Sequence, residues 1–198
     1  MTSPRQTTYP IDKLFTQRWS PRAFTGEAIP AAQLLTLLEA ARWAPSAYNA
    51  QPWRFVYAHR DTASWQPIFD TLIAFNQGWA AQAAALVVVT SARQAQFPGK
   101  EGLSPNPSHS FDTGAAWVSL ALQATLSGWA AHAIAGFDSE RLRQAIGVPE
   151  SHAIEAVVVI GKQGDKSQLP EGLQQREAPN GRLELAQLVS EGRFGALV

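Results

Sequence analysis

Residues 44–53 read Ala-Pro-Ser-Ala-Tyr-Asn-Ala-Gln-Pro-Trp, a polar loop between a helical pattern and the apolar run Trp53-Arg54-Phe55-Val56-Tyr57. Pro45 stops the helix, because its ring restricts Ala44 and it donates no backbone hydrogen bond. Ser46, Asn49 and Gln51 then offer donors and acceptors that can surround a polar, planar ligand. The alternative is a turn in which Ser46 and Asn49 bond their own backbone, and the sequence leaves both readings open. A second cluster, Gln17-Arg18-Trp19-Ser20-Pro21-Arg22, lies upstream. In an extended segment Arg18, Ser20 and Arg22 share one side. That face suits a phosphate held by charge-assisted hydrogen bonds; the alternative is a solvated basic edge.

Other chemistries are poorly supported. Ser46 is not in a Gly-x-Ser-x-Gly elbow. Residues 161–166 lack the Gly-Lys-Ser/Thr end of a phosphate loop, and no Gly-x-Gly-x-x-Gly follows an expected strand. The chain has no cysteine, which excludes disulfides, thiolate metal sites, cysteine catalysis and cysteinyl attachment of a cofactor. His59, His109, His132 and His152 show no ligand spacing, so no metal site is expected. A protein without redox groups of its own fits a bound cofactor that carries the hard chemistry.

The chain's 198 residues, 45% of them hydrophobic, suit one large domain over 1–198 with a substantial core. Sixteen basic and sixteen acidic residues balance to zero, which argues against a nucleic-acid binder. No apolar run of about 18 residues exists, so no membrane helix is expected. The opening Met-Thr-Ser-Pro-Arg-Gln-Thr-Thr lacks the apolar stretch of a secretory signal, and a cytoplasmic protein is the expectation.

The elements that position these clusters follow from periodicity. Ile11, Leu14 and Phe15 mark a short helix, and Pro30 opens a second through Ala41. Residues 53–58 read as a strand, 65–84 as a helical region broken at Asn76-Gln77-Gly78, and 86–90 as a buried strand. Residues 92–108 read as a long Pro/Gly-rich loop, and 110–128 as a helix apolar on several faces, covered by other elements or by a partner. Residues 131–136 form a strand, Asp138 caps the helix 139–146, and 153–160 form another buried strand. Beyond Gly161 the chain is polar with few core signals. Among seven tryptophans, Trp43, Trp79, Trp117 and Trp129 fall in helical-looking segments, available to the core or a subunit contact. The pattern is α+β, a sheet of at least four strands with helices packed on it.

These motifs together resemble the nitroreductase family of flavin enzymes. Arg18, Ser20 and Arg22 match its opening Arg-x-Ser-x-Arg-like run. Pro45, Ser46, Asn49, Gln51, Pro52 and Trp53 match its Pro-Ser-x-x-Asn-x-Gln-Pro-Trp-like loop. Ala133-Ile134-Ala135-Gly136-Phe137 is similar to its Pro-Ile-x-Gly-Phe segment, with Ala133 in place of Pro. Arg182-Leu183-Glu184-Leu185 is similar to its Arg-x-Pro-Leu ending, again without Pro.

The resemblance implies a mixed central sheet flanked by helices, in an intertwined homodimer whose tail, about 162–198, extends over the partner. It implies non-covalent FMN. Arg18, Trp19, Ser20, Arg22 and Arg182 would hold the phosphate and ribityl end. Pro45, Ser46, Ala47, Asn49 and Gln51 would line the ring from the opposite subunit. Beside Ile134, Ala135 and Gly136 would present backbone N–H groups to the ring's N5/O4 edge, with Asn76 nearby and Lys162 a weaker phosphate candidate. NADH or NADPH would supply hydride and a nitroaromatic, quinone or other small acceptor would receive it, in a ping-pong cycle without a catalytic side chain. A second reading keeps the fold and changes the chemistry, to an oxygen-using enzyme of cofactor synthesis; a third, of another class, is a dimeric flavin-binding or scaffold protein without turnover.

Overall fold

Alternation along two central strands builds a three-layer fold. Ala85, Val87 and Val89 point to one side of the sheet with Val158 and Ile160, while Leu86 and Val88 point to the other with Val157 and Val159. Both faces are buried, which is why these strands read as continuous apolar runs rather than alternating ones. The computed structural model describes residues 5–195. Expectations about the first four residues and the last three of the tail therefore lie outside the described residues.

In chain order the elements are α1 (Leu14–Gln17), α2 (Ala31–Arg42), β1 (Trp53–His59), α3 (Trp65–Phe69), α4 (Ala74–Ala80), β2 (Ala85–Ala92), β3 (Gln94–Gln96), β4 (Leu103–Pro105), α5 (His109–Leu126), β5 (Ala130–Ile134), α6 (Ser139–Ile146), β6 (His152–Gly161) and α7 (Glu171–Gln174). The main sheet has the order β1-β2-β6-β5. Against one face pack α2, through Leu34, Leu37 and Ala41, and α5, through Ala116, Leu120 and Ala124. The other face is covered by Ile68 of α3, Trp79 and Ala80 of α4, Leu142 of α6, and Leu169 and Leu173 beyond the sheet. The protein is α+β. No described helix is long and apolar enough to cross a membrane.

Several sequence expectations need correction. Every pairing in the sheet is antiparallel, so no parallel pair, and hence no mixed sheet, occurs among the described residues. The connections β1–α3–α4–β2 and β5–α6–β6 each return the chain to the end of the sheet it left, as antiparallel neighbours require. The helical break lies at 70–73, and Asn76-Gln77-Gly78 sits inside α4. There the Thr71 carbonyl accepts from Asp138 N–H at 2.8 Å, and Ile73 N–H donates to the Gly136 carbonyl at 3.1 Å. A helix cannot keep backbone groups that another segment has taken. The 92–108 stretch is not a plain loop, because β3 and β4 pair as a hairpin. The strand expected over 131–136 ends at Ile134, and Trp129 follows α5 rather than lying within it.

Asp138 caps α6 as expected, accepting from Arg141 N–H at 2.9 Å, and Gly147 ends it in the left-handed region. The segment after Gly161 holds more core than its composition indicated: Leu169, Leu173 and Glu177 are buried. It docks beside the N-terminal arm, where Phe24 bridges Gln163 and Gly164 N–H donates to the Ala23 carbonyl at 2.8 Å. A Cβ at Gly161 would lie 2.5 Å from the Phe24 ring, so this contact needs glycine. Beyond Glu177 the chain is almost wholly exposed.

Candidate flavin-phosphate cavity and its neighbouring loops

Docking the tail against the N-terminal arm creates a cavity of about 540 Å³. Arg18, Trp19, Ser20 and Arg22 line one wall, and Arg176 and Arg182 come from the tail. The cavity thus joins the first and last sequence motifs within one chain. Among the described residues no carboxylate lines it. Arg18 reaches the Ser20 hydroxyl at 3.3 Å. Burial, then the positive charges of Arg5 and Arg182, depresses the Arg18 pKa from its ordinary value. An arginine crowded by others is relieved by an anion.

Glu177 holds the two walls together, and no sequence motif pointed to it. Its buried carboxylate accepts from the N–H groups of Arg22 at 2.6 Å and Ala23 at 2.9 Å. Its other oxygen lies 3.9 Å from Arg22 Nη1. That oxygen and Arg22 Nε are both buried without a hydrogen-bond partner. Arg5, also missed, donates to the carbonyls of Thr16 at 2.9 Å and Arg18 at 2.6 Å and to Asn180 O at 2.9 Å, tying arm to tail. His132 forms part of the wall: Nδ1 donates to the Pro21 carbonyl at 2.9 Å, and the ring stacks on Trp79 at 4.8 Å. Lys162 is engaged elsewhere, 3.0 Å from Glu27 and over the Trp129 ring.

The 45–51 loop does not line this cavity. Tyr48, Asn49 and Gln51 all have positive φ, an uncommon conformation for residues with side chains. Ser46 Oγ accepts from Gln51 N–H at 3.0 Å, as the turn reading expects of Ser46, and Gln51 Nε2 donates to the Asn49 backbone carbonyl at 3.0 Å. Buried Asp112, in the first turn of α5, accepts from Ala47 N–H at 3.1 Å. The same helix end carries a polar hub. A bulge between the β2–β6 pairs Val89↔Ala156 and Thr90↔Ile154 leaves Glu155 unpaired. Its side chain turns to accept from Ser91 and from Ser110 at 2.7 Å, with His109 Nδ1 2.7 Å from Ser91 Oγ. The readable signal was an acid inside an apolar strand.

The third motif packs on α4. Asn76 Nδ2 donates to the Gly136 carbonyl at 2.9 Å, and Trp79 Nε1 donates to Asn76 Oδ1 at 3.3 Å. The β5–β6 ladder stops at Ile134. Beyond it, the N–H groups of Ala135 and Gly136 make no turn, loop or cap hydrogen bond to backbone among the described residues. Ala135 is exposed, so this edge can meet a ligand.

The model of the Nitroreductase family matches residues 15–70 and 62–162. The chain belongs to this family. A solved structure of an oxidoreductase containing FMN is similar over 98% of both chains, with 47% identity and a TM-score of 0.93. An NADH dehydrogenase of Thermus thermophilus is 27% identical over 73% of this chain and 82% of its own length. An uncharacterised 15.4 kDa protein of Mycolicibacterium smegmatis is 41% identical, over 42% of this chain and 57% of its own length. This nitroreductase-family chain has Ala133 and Glu184 where the resembled motifs would carry proline. The Ala133 and Glu184 segments nonetheless form a strand and a capped turn.

Proposed function

We propose that this protein is an FMN-dependent oxidoreductase that takes hydride from NADH or NADPH and delivers it to a small acceptor such as a quinone or nitroaromatic. The observation that carries this reading is the arginine cavity, which has no carboxylate in its lining and is assembled from residues 18–22 and 176–182. The buried, unpartnered Arg22 Nε and the unspent N–H groups beyond Ile134 fit the two ends of a flavin mononucleotide, phosphate and ring. The likeness to an FMN-containing oxidoreductase supports the same cofactor.

Arg18, Ser20, Arg22 and Arg182, beside Trp19, are the groups we assign to the phosphate end. Ile134, Ala135 and Gly136, backed by Asn76, are assigned to the ring edge, where donors stabilise an electron-rich ring. When bound, FMN supplies the hydride chemistry, and the chain's residues orient it and exclude water.

Pro45, Ser46, Ala47, Asn49 and Gln51 are assigned to the other subunit's flavin, because they lie apart from their own chain's arginine cavity. A homodimer also accounts for exposed apolar side chains on α5, Phe111, Val118 and Leu126, and on the tail, Leu183 and Leu188. Residues up to Glu177 dock on their own chain, and Asn180 and Arg182 still meet its N-terminal arm, so 183–195 is the part of the tail we assign to the partner. Reduced nicotinamide is a cytoplasmic metabolite, so the cytoplasm is the compartment we assign.

The deciding experiment is the absorption spectrum of the purified protein, followed by anaerobic additions. Yellow protein that releases FMN on denaturation, bleaches with NADH or NADPH and recovers with a quinone supports the reading. Parallel double-reciprocal plots would support the ping-pong cycle. Recovery of FAD, or no flavin after reconstitution, would overturn it. Failure of both nicotinamides to bleach bound flavin would favour an oxygen-using or non-catalytic protein.

A further inference from the structure

We infer that the arginine cavity contains a second phosphate subsite, at Arg176, which receives a phosphate group of the nicotinamide co-substrate. The inference rests on the flavin reading above. Leaving Arg5 aside, Arg18, Arg22, Arg176 and Arg182 contribute four positive charges to the lining, and the Glu177 carboxylate behind the wall offsets one, leaving three. A phosphate monoester carries about −1.5 to −2 at neutral pH. The flavin phosphate therefore leaves about one positive charge unbalanced.

Arg176 is where that excess lies. It is exposed, and among the described residues no ion pair involves it. Its backbone is nevertheless fixed: its N–H donates to the Leu173 carbonyl at 3.0 Å, and the next residue is the buried Glu177 latch. A fixed backbone beneath a free guanidinium is suited to bidentate capture of a mobile phosphate. Arg18 and Arg22 stand on the opposite, N-terminal wall, and Gln175 and Asn180 supply further amides beside Arg176. The phosphate oxygens can come from the 2′-phosphate of NADPH or from the pyrophosphate that NADH shares with it.

The test uses FMN-loaded protein and the variants Arg176→Gln and Arg176→Glu, with thermal melts to confirm intact folds. Calorimetric titration with adenosine 2′,5′-bisphosphate and with AMP is paired with kcat/KM for NADPH and NADH. The glutamine variant should lose about tenfold in bisphosphate affinity, the glutamate variant more, while FMN affinity stays within about twofold. Loss confined to the bisphosphate and NADPH assigns the 2′-phosphate, and equal loss for both nicotinamides with AMP also weakened assigns the pyrophosphate. Unchanged affinities with FMN retained would overturn the subsite, and so would a matching fall in FMN affinity, which would give Arg176 to the flavin phosphate. Protein that takes up no FMN would sink the flavin reading. Without that phosphate in place a subsite second to it has no basis, so the same result overturns the assignment of Arg176.

Discussion

Asn76 Nδ2 lies 2.9 Å from the Gly136 carbonyl oxygen, and a Cβ at Gly136 would fall 2.5 Å from that same nitrogen. The hydrogen bond and the absence of a side chain are one requirement. Gly136→Ala is expected to cost about 1–3 kcal/mol by overpacking and to loosen flavin. Asn76→Ala should also cost about 1–3 kcal/mol, since it leaves the buried Trp79 N–H without its acceptor. The double variant should recover part of the loss, because the obstructing nitrogen is gone; Ile73 Cδ1, 2.8 Å from the same Cβ position, keeps the remainder. Urea unfolding of all three variants measures this, and strictly additive costs would contradict the contact.

Arg18 and Arg22 should separate in their effects. With Arg18 assigned to the phosphate, Arg18→Ala should cost about 1.5–3 kcal/mol, or one to two decades of FMN affinity, with little change in melting temperature. Arg22→Ala should also weaken the fold, because it strips the cation from beside the buried Glu177. Adding Glu177→Gln to Arg22→Ala should restore melting temperature but not affinity. FMN titration of the apo-proteins and thermal melts check both, and unchanged FMN affinity in Arg18→Ala would remove it from the phosphate site.

Mixing inactive Arg22 and Asn49 variants should restore activity if each site draws on both subunits. In the mixed dimer both lesions fall in one pocket and the other is intact. Mass spectrometry confirms exchange, and full exchange without recovered activity would show that the loop serves its own chain.

Burial lowers the His132 pKa below 6.5, although its bond to the Pro21 carbonyl acts in the opposite direction. The neutral ring is therefore favoured in the folded state. Its contribution is present in full above about pH 6.5 and is lost as pH falls below that value toward the folded pKa. Melting temperature should drop between about pH 7.5 and 5.5 more steeply in wild type than in His132→Gln. FMN should flatten the wild-type slope, because a nearby phosphate favours the protonated ring. Equal slopes in the two proteins would refute the assignment.

Local content is legible in the order of the residues alone. The apolar runs at 85–89 and 157–160 specify buried strands because period-2 side chains must fill both faces of a covered sheet. Asp138 and Gly147 bound their helix because each satisfies terminal backbone groups locally. The chemistry of Arg18, Ser20 and Arg22 is likewise legible, since a guanidinium–hydroxyl–guanidinium run needs no distant partner to suit an anion. What these groups face depends on long-range packing. Glu177 becomes the latch of the arginine wall across 155 positions in sequence, and a polar residue in a polar tail carries no local mark of burial. The helical break falls at 70–73 instead of at Gly78 because the 136–138 segment captures the backbone there. Glu155 turns to the end of α5 because a bulge re-aims it. In each case a long-range hydrogen bond outweighs local propensity, since a buried polar group without a partner costs more than a residue's preference for helix or turn.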